Sequence, residues 1–530
     1  LLCLYNHMLK SGDFPSQWCE GIISPLYKKG NKSDPVNYRK ITVQVTLGKL
    51  FESIMNGRLQ AKNTMFGDDD IFQTGFCNNS RTTDNVFVLS SLIEKQKFFG
   101  KPLYVCFIDF TKAFDYINRD ALLHKLKQRG ISGSFLNILR NRFNKSRTKV
   151  KWQGLLSESF SNSFGVLQGG IISPKLFNEY LSDIGDAMRD DVGIYLDELL
   201  CCYLLYADDL VLFSDTEDGL QSQVDMLFQY CKKWHLIVSL SKTKVMMFNR
   251  RNYAPHIYYD NNLLEVVQQF KYLGFIFDSN TKQALKSAPT YLAEQANKAI
   301  FSSLRLFYSS MGKPSPTCMV KLFDSQILPI LEYGSELWAT NKCLDTIENV
   351  QLRYLKRMLG VRSQTPTLGI YMDTGRFPLH LRQQIRVVKY WLHILQLPAD
   401  HVLKHAYNTL LELNGAGQTN WCTTVANILS DCNLGNHWIN QHVDDEYLFI
   451  RNLKDILYSN YMKKCESTLC SVDHNMKLRT YKLFKTKFCM ESYLLNIPSL
   501  TYIHCIARLR LSSHNLYIEL GRHSKPKIDV

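Results

Sequence analysis

Three aspartates carry the most specific chemistry this sequence offers. Asp208 and Asp209 are adjacent in LLYADDLVLFSDTEDGLQ (Leu204 to Gln221), between two strongly apolar runs. Asp109 ends another apolar run, PLYVCFIDF (Pro102 to Phe110), about 100 residues earlier. Two carboxylates about 4 Å apart repel by roughly 4 kcal/mol at an effective dielectric of 20. A surface turn needs little to offset that, because solvent screens it. A divalent cation offsets it directly. If the strand ending in Asp109 meets the turn holding Asp208 and Asp209, three carboxylates converge into a hard-cation site. Mg²⁺ takes such oxygen ligands and shares its shell with substrate phosphates. Two such ions stabilise both the attacking and the leaving oxygen of an in-line phosphoryl transfer.

The elements that must position these residues are legible in the pattern. PLYVCFIDF reads as a buried strand, rich in β-branched and aromatic residues. YADD reads as the tight turn of a hairpin. GIISPLYKKGNKSDPVNYRKI (Gly21 to Ile41) reads as strand, basic turn, strand. LGKLFESIMNGRLQ (Leu47 to Gln60) predicts a helix with Leu50, Ile54 and Leu59 on its apolar face and Lys49, Glu52 and Arg58 away from it. Further helices are predicted over Thr82 to Phe99, Arg119 to Ile131 with Gly130 as its C-cap, and Gly219 to Trp234. A glycine-rich loop, GVLQGGIISPKLFNEYLSDIGDAM (Gly165 to Met188), leads into another. Strands and helices alternate, but a two-residue turn joins neighbouring strands, so the class is α+β with an antiparallel centre. After about residue 281 the pattern is almost wholly helical, as in TYLAEQANKAIFSSLRLF with Leu292, Ala296, Ala299 and Leu304 at helical spacing.

Composition narrows the partner. The 530 residues carry a net charge of +15, which suits a polyanion such as nucleic acid. Residues 281–530 hold 30 Lys/Arg against 19 Asp/Glu, whereas residues 1–280 hold 33 against 29. That distribution suggests chemistry in the first part and backbone gripping in the second. Arg353, Lys356 and Arg357 share one helix face in TIENVQLRYLKRMLGV and are candidates for phosphate contacts; KLRTYKLFKTKF (Lys477 to Phe488) is a second basic stretch. Fifteen cysteines form no CxxC pair, and His504, Cys505, His514 and His523 lack ligand spacing. Neither zinc nor a disulfide framework is expected, and a reducing, intracellular compartment fits. No run of about 20 apolar residues predicts a membrane span. The opening LLCLYNHMLKSGDFP has no basic n-region, so it is not read as a signal peptide; it reads as the middle of an amphipathic helix and hence as the start of a fragment.

In order along the chain, FIDFTKAFDYINRDALLHKL, GVLQGGIISPKLFNEYLSDI, LLYADDLVLFS, LSKTKVMMFNR and FKYLG resemble the successive palm motifs of reverse transcriptases. The resemblance is to those of non-LTR (LINE-type) retrotransposons. PLYKKGNKSDPVNYRKITV and QTGFCNNSRTTDNVFVL are similar to finger motifs of that family. ILEYGSELW, RYLKRMLGV and RLSSHNLYIELGRH are similar to its carboxy-terminal region. The resemblance implies a right-hand polymerase: fingers over 1–100, palm over 101–280, helical thumb over 281–365, and a helical basic region over 366–530. It implies an RNA-directed DNA polymerase that uses an RNA template, a DNA primer and dNTPs. Two Mg²⁺ ions, or Mn²⁺ in their place, would be held by Asp109, the Phe110 carbonyl, Asp208 and Asp209. One ion would activate the primer 3′-hydroxyl and the other would neutralise the leaving pyrophosphate. Phe114 matches the bulky residue that closes off the sugar 2′ side. Gln168 and Gly169 match the loop at the incoming nucleotide and template. Arg39 matches the triphosphate grip, with Lys28 and Lys29 as weaker candidates. Lys242 or Lys244 would serve the pyrophosphate, and Tyr272, Leu273 and Gly274 match the primer grip.

The sequence departs from the family at several points. Ser239 stands where Asn is usual before KTK, Cys77 where a basic residue follows QTGF, and Leu167 where Arg or Pro precedes QG; TVQVTLGK is less apolar than its counterparts. None touches the aspartates. A chain without the family's preceding endonuclease domain would copy RNA but not nick its own target. Target-primed synthesis implies a nuclear site of action, with a cytoplasmic ribonucleoprotein as a stage before it. Two rival readings remain at this point: a catalytically silent nucleic-acid-binding remnant, and an RNA-directed RNA or template-independent polymerase. Phe114 and FKYLG argue against the last.

Overall fold

The computed structural model describes residues 1–66, 70–188, 192–250, 253–280, 284–310, 314–339, 344–472, 477–485 and 487–516. They form two compact units, Leu1–Leu273 with Asp400–Thr409, and Gly274–Ala399 with Leu410–Val530.

The first unit contains two five-stranded sheets. One joins β1 (Glu20–Tyr27), β2 (Tyr38–Val43), β4 (Arg147–Trp152), β5 (Leu155–Leu156) and β6 (Phe160–Ser161). Here the basic turn between β1 and β2 closes an antiparallel pair, as its sequence predicts. The other sheet has the order β14 (Glu265–Val266), β11 (Lys244–Phe248), β3 (Leu103–Asp109), β10 (Asp209–Ser214) and β9 (Tyr203–Tyr206). Two short hairpins accompany it, β7 (Ile194–Leu196) with β8 (Leu199–Cys201) and β12 (Tyr258–Tyr259) with β13 (Asn262–Leu263). The centre of the second sheet is antiparallel: β3 lies between β10 and β11 and opposes both. Leu103 through Ile108 are all buried, which is why that strand reads as a continuous apolar run rather than an alternating one. The helix Glu217–Trp234 packs on the sheet with Leu220, Val224, Leu227 and Cys231 buried at helical spacing. Its N-terminus is capped by Thr216, whose hydroxyl accepts from Gly219 N–H at 3.1 Å. Gly130 takes the left-handed φ of 73° that ends the preceding Arg119–Gln128 helix.

One helix is turned from its predicted face. In Thr46–Phe66 the buried stripe is Phe51, Met55 and Leu59, while Leu50 and Ile54 are 47% and 40% exposed. Glu52, predicted to face solvent, is 2% exposed. The reason is a partner the sequence does not place beside it: Arg142, from the helix Ser134–Lys145, forms a buried ion pair with the Glu52 carboxylate. A paired charge can take a core position that an unpaired one could not.

The second unit is helical, as predicted beyond residue 281. The helix Ala288–Ser310 buries Leu292, Ala296 and Leu304, with Ala299 partly covered. The later segments are tied together by Asp373, which is fully buried. Its carboxylate accepts from the hydroxyls of Tyr481 at 3.0 Å and Tyr493 at 2.6 Å and from the Arg510 guanidinium at 2.8 Å. Part of RLSSHNLYIELGRH, including His523, and Thr486 of the second basic stretch lie outside the described residues. No helix among the described residues is long and apolar enough to cross a membrane.

Candidate active site

Register brings the aspartates to one strand end. β10 opposes β3 with Asp209 directly across from Asp109, and Asp208 precedes it in the turn from β9. Asp109 is further fixed by backbone bonds on its other side. Its carbonyl accepts from Ser239 N–H at 2.8 Å, and Thr111 N–H donates to Ile237 carbonyl at 2.7 Å, so Phe110 bridges Val238. Ser239 holds Asp109 through its backbone N–H, while its hydroxyl lies 3.4 Å from that of Ser241. Asp208 is half-buried and Asp209 opens to solvent on one side. Desolvation, then the Asp208 and Asp109 charges, push Asp209 up to about 6; desolvation and Asp109 also raise Asp208. Lys28 and Lys242 pull both the other way.

The convergence of backbones does not extend to a closed ligand shell. Among the described residues no three His, Cys, Asp or Glu side chains are gathered as a metal-binding group. Instead the Lys242 ammonium lies 2.7 Å from Asp109 Oδ2. The chemistry of the donors nonetheless suits a hard divalent cation, which takes carboxylate oxygens. Of the two candidate lysines, Lys244 is engaged elsewhere, 2.7 Å from Glu265. Lys242→Ala is expected to lower kcat on the order of 10²-fold if its proton or charge serves the leaving group. Lys244→Ala leaves kcat near the parent value, and equal effects in single-turnover assays would remove Lys242 from the site.

Phe114 stands beside the glycine-rich loop. Its ring stacks on Phe177 at 4.5 Å and meets Phe76 edge-on at 6.2 Å. Its carbonyl accepts from Val166 N–H at 2.9 Å, and a Cβ on Gly165 would lie 2.8 Å from that oxygen. The loop is also tied to β2. Thr42 N–H donates to Gln168 carbonyl at 2.7 Å, and Gly169, at φ 108°, approaches Thr42 so closely that a Cβ would sit 2.7 Å from its carbonyl oxygen. Glu52 completes the attachment by accepting from Ile171 N–H at 3.1 Å. A cleft of about 960 Å³ opens between this loop and the first sheet, lined by Tyr38, Lys40, Thr42, Lys112, Asp115 and Gln168 among others. Arg39 alternates with Tyr38 and Lys40, so it projects from the opposite face of β2. It is exposed, whereas the charge of Lys28, the weaker candidate by sequence, reaches Asp208 and Asp209.

The first of the primer-grip candidates is buried. Tyr272, at the end of β15 (Gln269–Tyr272), is 3% exposed and packs its ring 5.4 Å from Phe107. Its side chain is core, so any surface that meets a primer here is offered by Leu273 and Gly274, which turn the chain at φ 44° and 89°. Sequence reasoning passed over the residues that brace the YADD turn. Gln73 and Asn85, both buried, bond to the backbone of Ala207 in the turn and of Leu205 in the strand leading into it; polar residues at core positions within QTGFCNNSRTTDNVFVL were the available signal.

The family model described as Reverse transcriptase (RNA-dependent DNA polymerase) matches residues 27–277. The RNA-directed DNA polymerase from mobile element jockey of Drosophila funebris is 24% identical over 388 residues, covering 70% of this chain and 41% of that protein. The Pol polyprotein from the type-1 retrotransposable element R2 of Popillia japonica is 24% identical over 398 residues, covering 72% of this chain and 53% of that protein. The chain thus spans about half or less of the relatives it matches. Apo telomerase from Candida tropicalis aligns over 77% of this chain and 73% of its own, with 14% identity and a TM-score of 0.39.

Proposed function

We propose that this chain, whose residues 27–277 match the reverse transcriptase family model, is an RNA-directed DNA polymerase of a non-LTR retrotransposon, extending a DNA primer on an RNA template. The observation that carries the reading is the register of Asp209 against Asp109 with Asp208 alongside. Asp109, the Phe110 carbonyl, Asp208 and Asp209 would hold Mg²⁺, which would supply Lewis-acid activation of the primer 3′-hydroxyl and offset charge on the departing pyrophosphate. The chain itself contributes position and charge. Lys242, beside Asp109, brings a cation and a proton to the pyrophosphate side. Lys28 adds positive charge near Asp208. The loop at Gln168 and Gly169, held against β2, presents backbone to the base pair being formed. The experiment is extension of oligo(dT) on poly(rA) with dTTP and Mg²⁺. Template-dependent synthesis supports the reading; binding without synthesis turns the chain into a silent nucleic-acid-binding protein. Target-primed synthesis in the nucleus is the setting this reading assigns.

Phe114 supports the choice of sugar. A ring buttressed by Phe177 and Phe76 under C2′ leaves no room for a hydroxyl. Phe114→Ala is expected to lower the dNTP-over-rNTP ratio of kcat/KM by about 10- to 200-fold, the range over which a small apolar contact discriminates. An unchanged ratio makes Phe114 core packing only.

The helical unit supports a grip on the template–primer backbone. Arg353 and Arg357 are exposed on the helix Leu344–Leu359, while the Lys356 ammonium donates to the Ser363 carbonyl. Each phosphate contact removed should reduce the slope of log K against log salt by about 0.7 to 0.9. Measured on an RNA/DNA duplex, the Arg353→Ala/Lys356→Ala/Arg357→Ala variant should therefore fall by about two such steps, Lys356 being already engaged. A slope equal to the parent's moves the grip to Lys477 and its neighbours.

A further inference from the structure

The turn that carries Asp208 has an awkward residue in it. β9 and β10 are joined by only Ala207 and Asp208, and Ala207 adopts a left-handed φ of 56°. One positive φ at the first central position is a conformation that glycine fills without steric cost and alanine does not. Something outside the hairpin has to hold it. The segment Phe72 to Gly75 lies along β9 and does so. Leu205 N–H donates to Phe72 carbonyl at 3.0 Å, and Thr74 N–H to Leu205 carbonyl at 2.9 Å. The Gln73 side chain then reaches the turn itself. Its Oε1 accepts from Ala207 N–H at 2.9 Å and from Gly75 N–H at 2.8 Å, and its Nε2 donates to Ala207 carbonyl at 3.4 Å. Gly75 packs so closely that a Cβ would lie 2.1 Å from Ala207 nitrogen. Asn85, fully buried, donates to Leu205 carbonyl at 3.2 Å and to Tyr272 hydroxyl at 3.4 Å. The same brace thus reaches the strand that leads into Leu273.

We propose that Gln73 is a positioning residue for catalysis: its amide fixes both backbone polar groups of Ala207 and so holds the left-handed turn that aims Asp208. This rests on the reading of the chain as an RNA-directed DNA polymerase. Gln73 is 7% exposed, and an apolar residue of the same length would fill its space as well. What an apolar residue would not do is bond the turn, so packing and positioning are separable.

The test is Gln73→Met, alone and with Ala207→Gly, in the full chain. Primer extension on poly(rA)/oligo(dT) gives kcat and the dTTP KM; duplex Kd and thermal unfolding are measured in parallel. A displacement of about 1 Å at a reacting group costs on the order of 10² in rate. Gln73→Met should therefore lower kcat by roughly that factor, with KM and duplex Kd within about threefold of the parent. Ala207→Gly added to it should restore kcat at least about tenfold, because glycine holds the left-handed turn unaided. Where Gln73→Met does not fold, Gln73→Asn keeps the amide and withdraws it by one carbon, with the same expectations. A parent-like kcat in the single variant overturns the proposal, as does a loss that Ala207→Gly does not relieve, which would make Gln73 core filling. An inactive parent chain overturns the proposed polymerase function instead, and is told apart by that control.

Discussion

Asp208→Asn is expected to remove most primer extension, by 10²-fold or more, while leaving the folded chain no less stable. The first part follows from position: Asp208 sits next to Asp209, which opposes Asp109, and losing one preorganised charge from a phosphoryl-transfer site costs about 10² to 10³ in kcat. The second follows from sign. Desolvation and the Asp109 charge raise the Asp208 pKa. The ionised carboxylate is therefore disfavoured in the folded state, and its burden is present above the raised pKa and absent below the unfolded value. Asp209, pushed up to about 6, behaves alike: in the metal-free chain stability declines as pH rises from about 4 to about 6. Asn removes one of these charges at nearly constant shape. Two measurements check this together. Extension assays should show the loss, and thermal unfolding without divalent ions at pH 7 should show an unchanged or higher Tm. Adding Mg²⁺ should then raise the Tm of the parent more than that of Asp208→Asn, since a ligand stabilises the state that binds it. Near-normal extension by Asp208→Asn would falsify the assignment of Asp208 to the catalytic site.

Much of this site was legible because it is written in local signals. An apolar run ending in Asp109, a hairpin with Asp208 and Asp209 and a glycine-rich loop are each contained in one short stretch, and their order along the chain specifies an α+β core with an antiparallel centre. What stayed hidden depends on pairs distant in sequence. The helix at Leu47 was read one residue out of phase, because Glu52 counts as polar until Arg142, 90 positions away, is placed beside it. Tyr272 stands among the primer-grip candidates because FKYLG resembles the family motif; only the sheet shows that its ring packs against Phe107. Lys242 and Lys244 differ by one turn of alternation, and the sequence could not choose between them before β11 set Lys244 toward Glu265. Gln73 opens the QTGF motif, but its role was hidden for the same reason: its partner is the backbone of Ala207, whose left-handed conformation has no sequence signature.

Glu52→Ala is expected to destabilise the chain by about 3–5 kcal/mol, because it leaves the Arg142 guanidinium buried and unpaired. Both side chains are nearly inaccessible, at 3% and 7% exposure. The carboxylate also accepts from Gln44 Nε2 and Ile171 N–H, each at 3.1 Å, so it has two tasks: to compensate Arg142 and to anchor the glycine-rich loop just past Gly169 and Gly170. The tasks can be separated. Replacing a buried ion pair by apolar residues of similar volume is often neutral for stability, so Glu52→Leu/Arg142→Met should recover most of the loss in urea unfolding. It cannot restore the acceptor for Ile171 N–H. The double variant should therefore unfold near the parent's midpoint and still show a raised dNTP KM, whereas Glu52→Gln, which retains an amide oxygen for Ile171, should lose stability with the smaller change in KM. If the double variant recovers both stability and KM, Glu52 serves the core alone, and the loop at Gln168 is held by Thr42 and Phe114 without it.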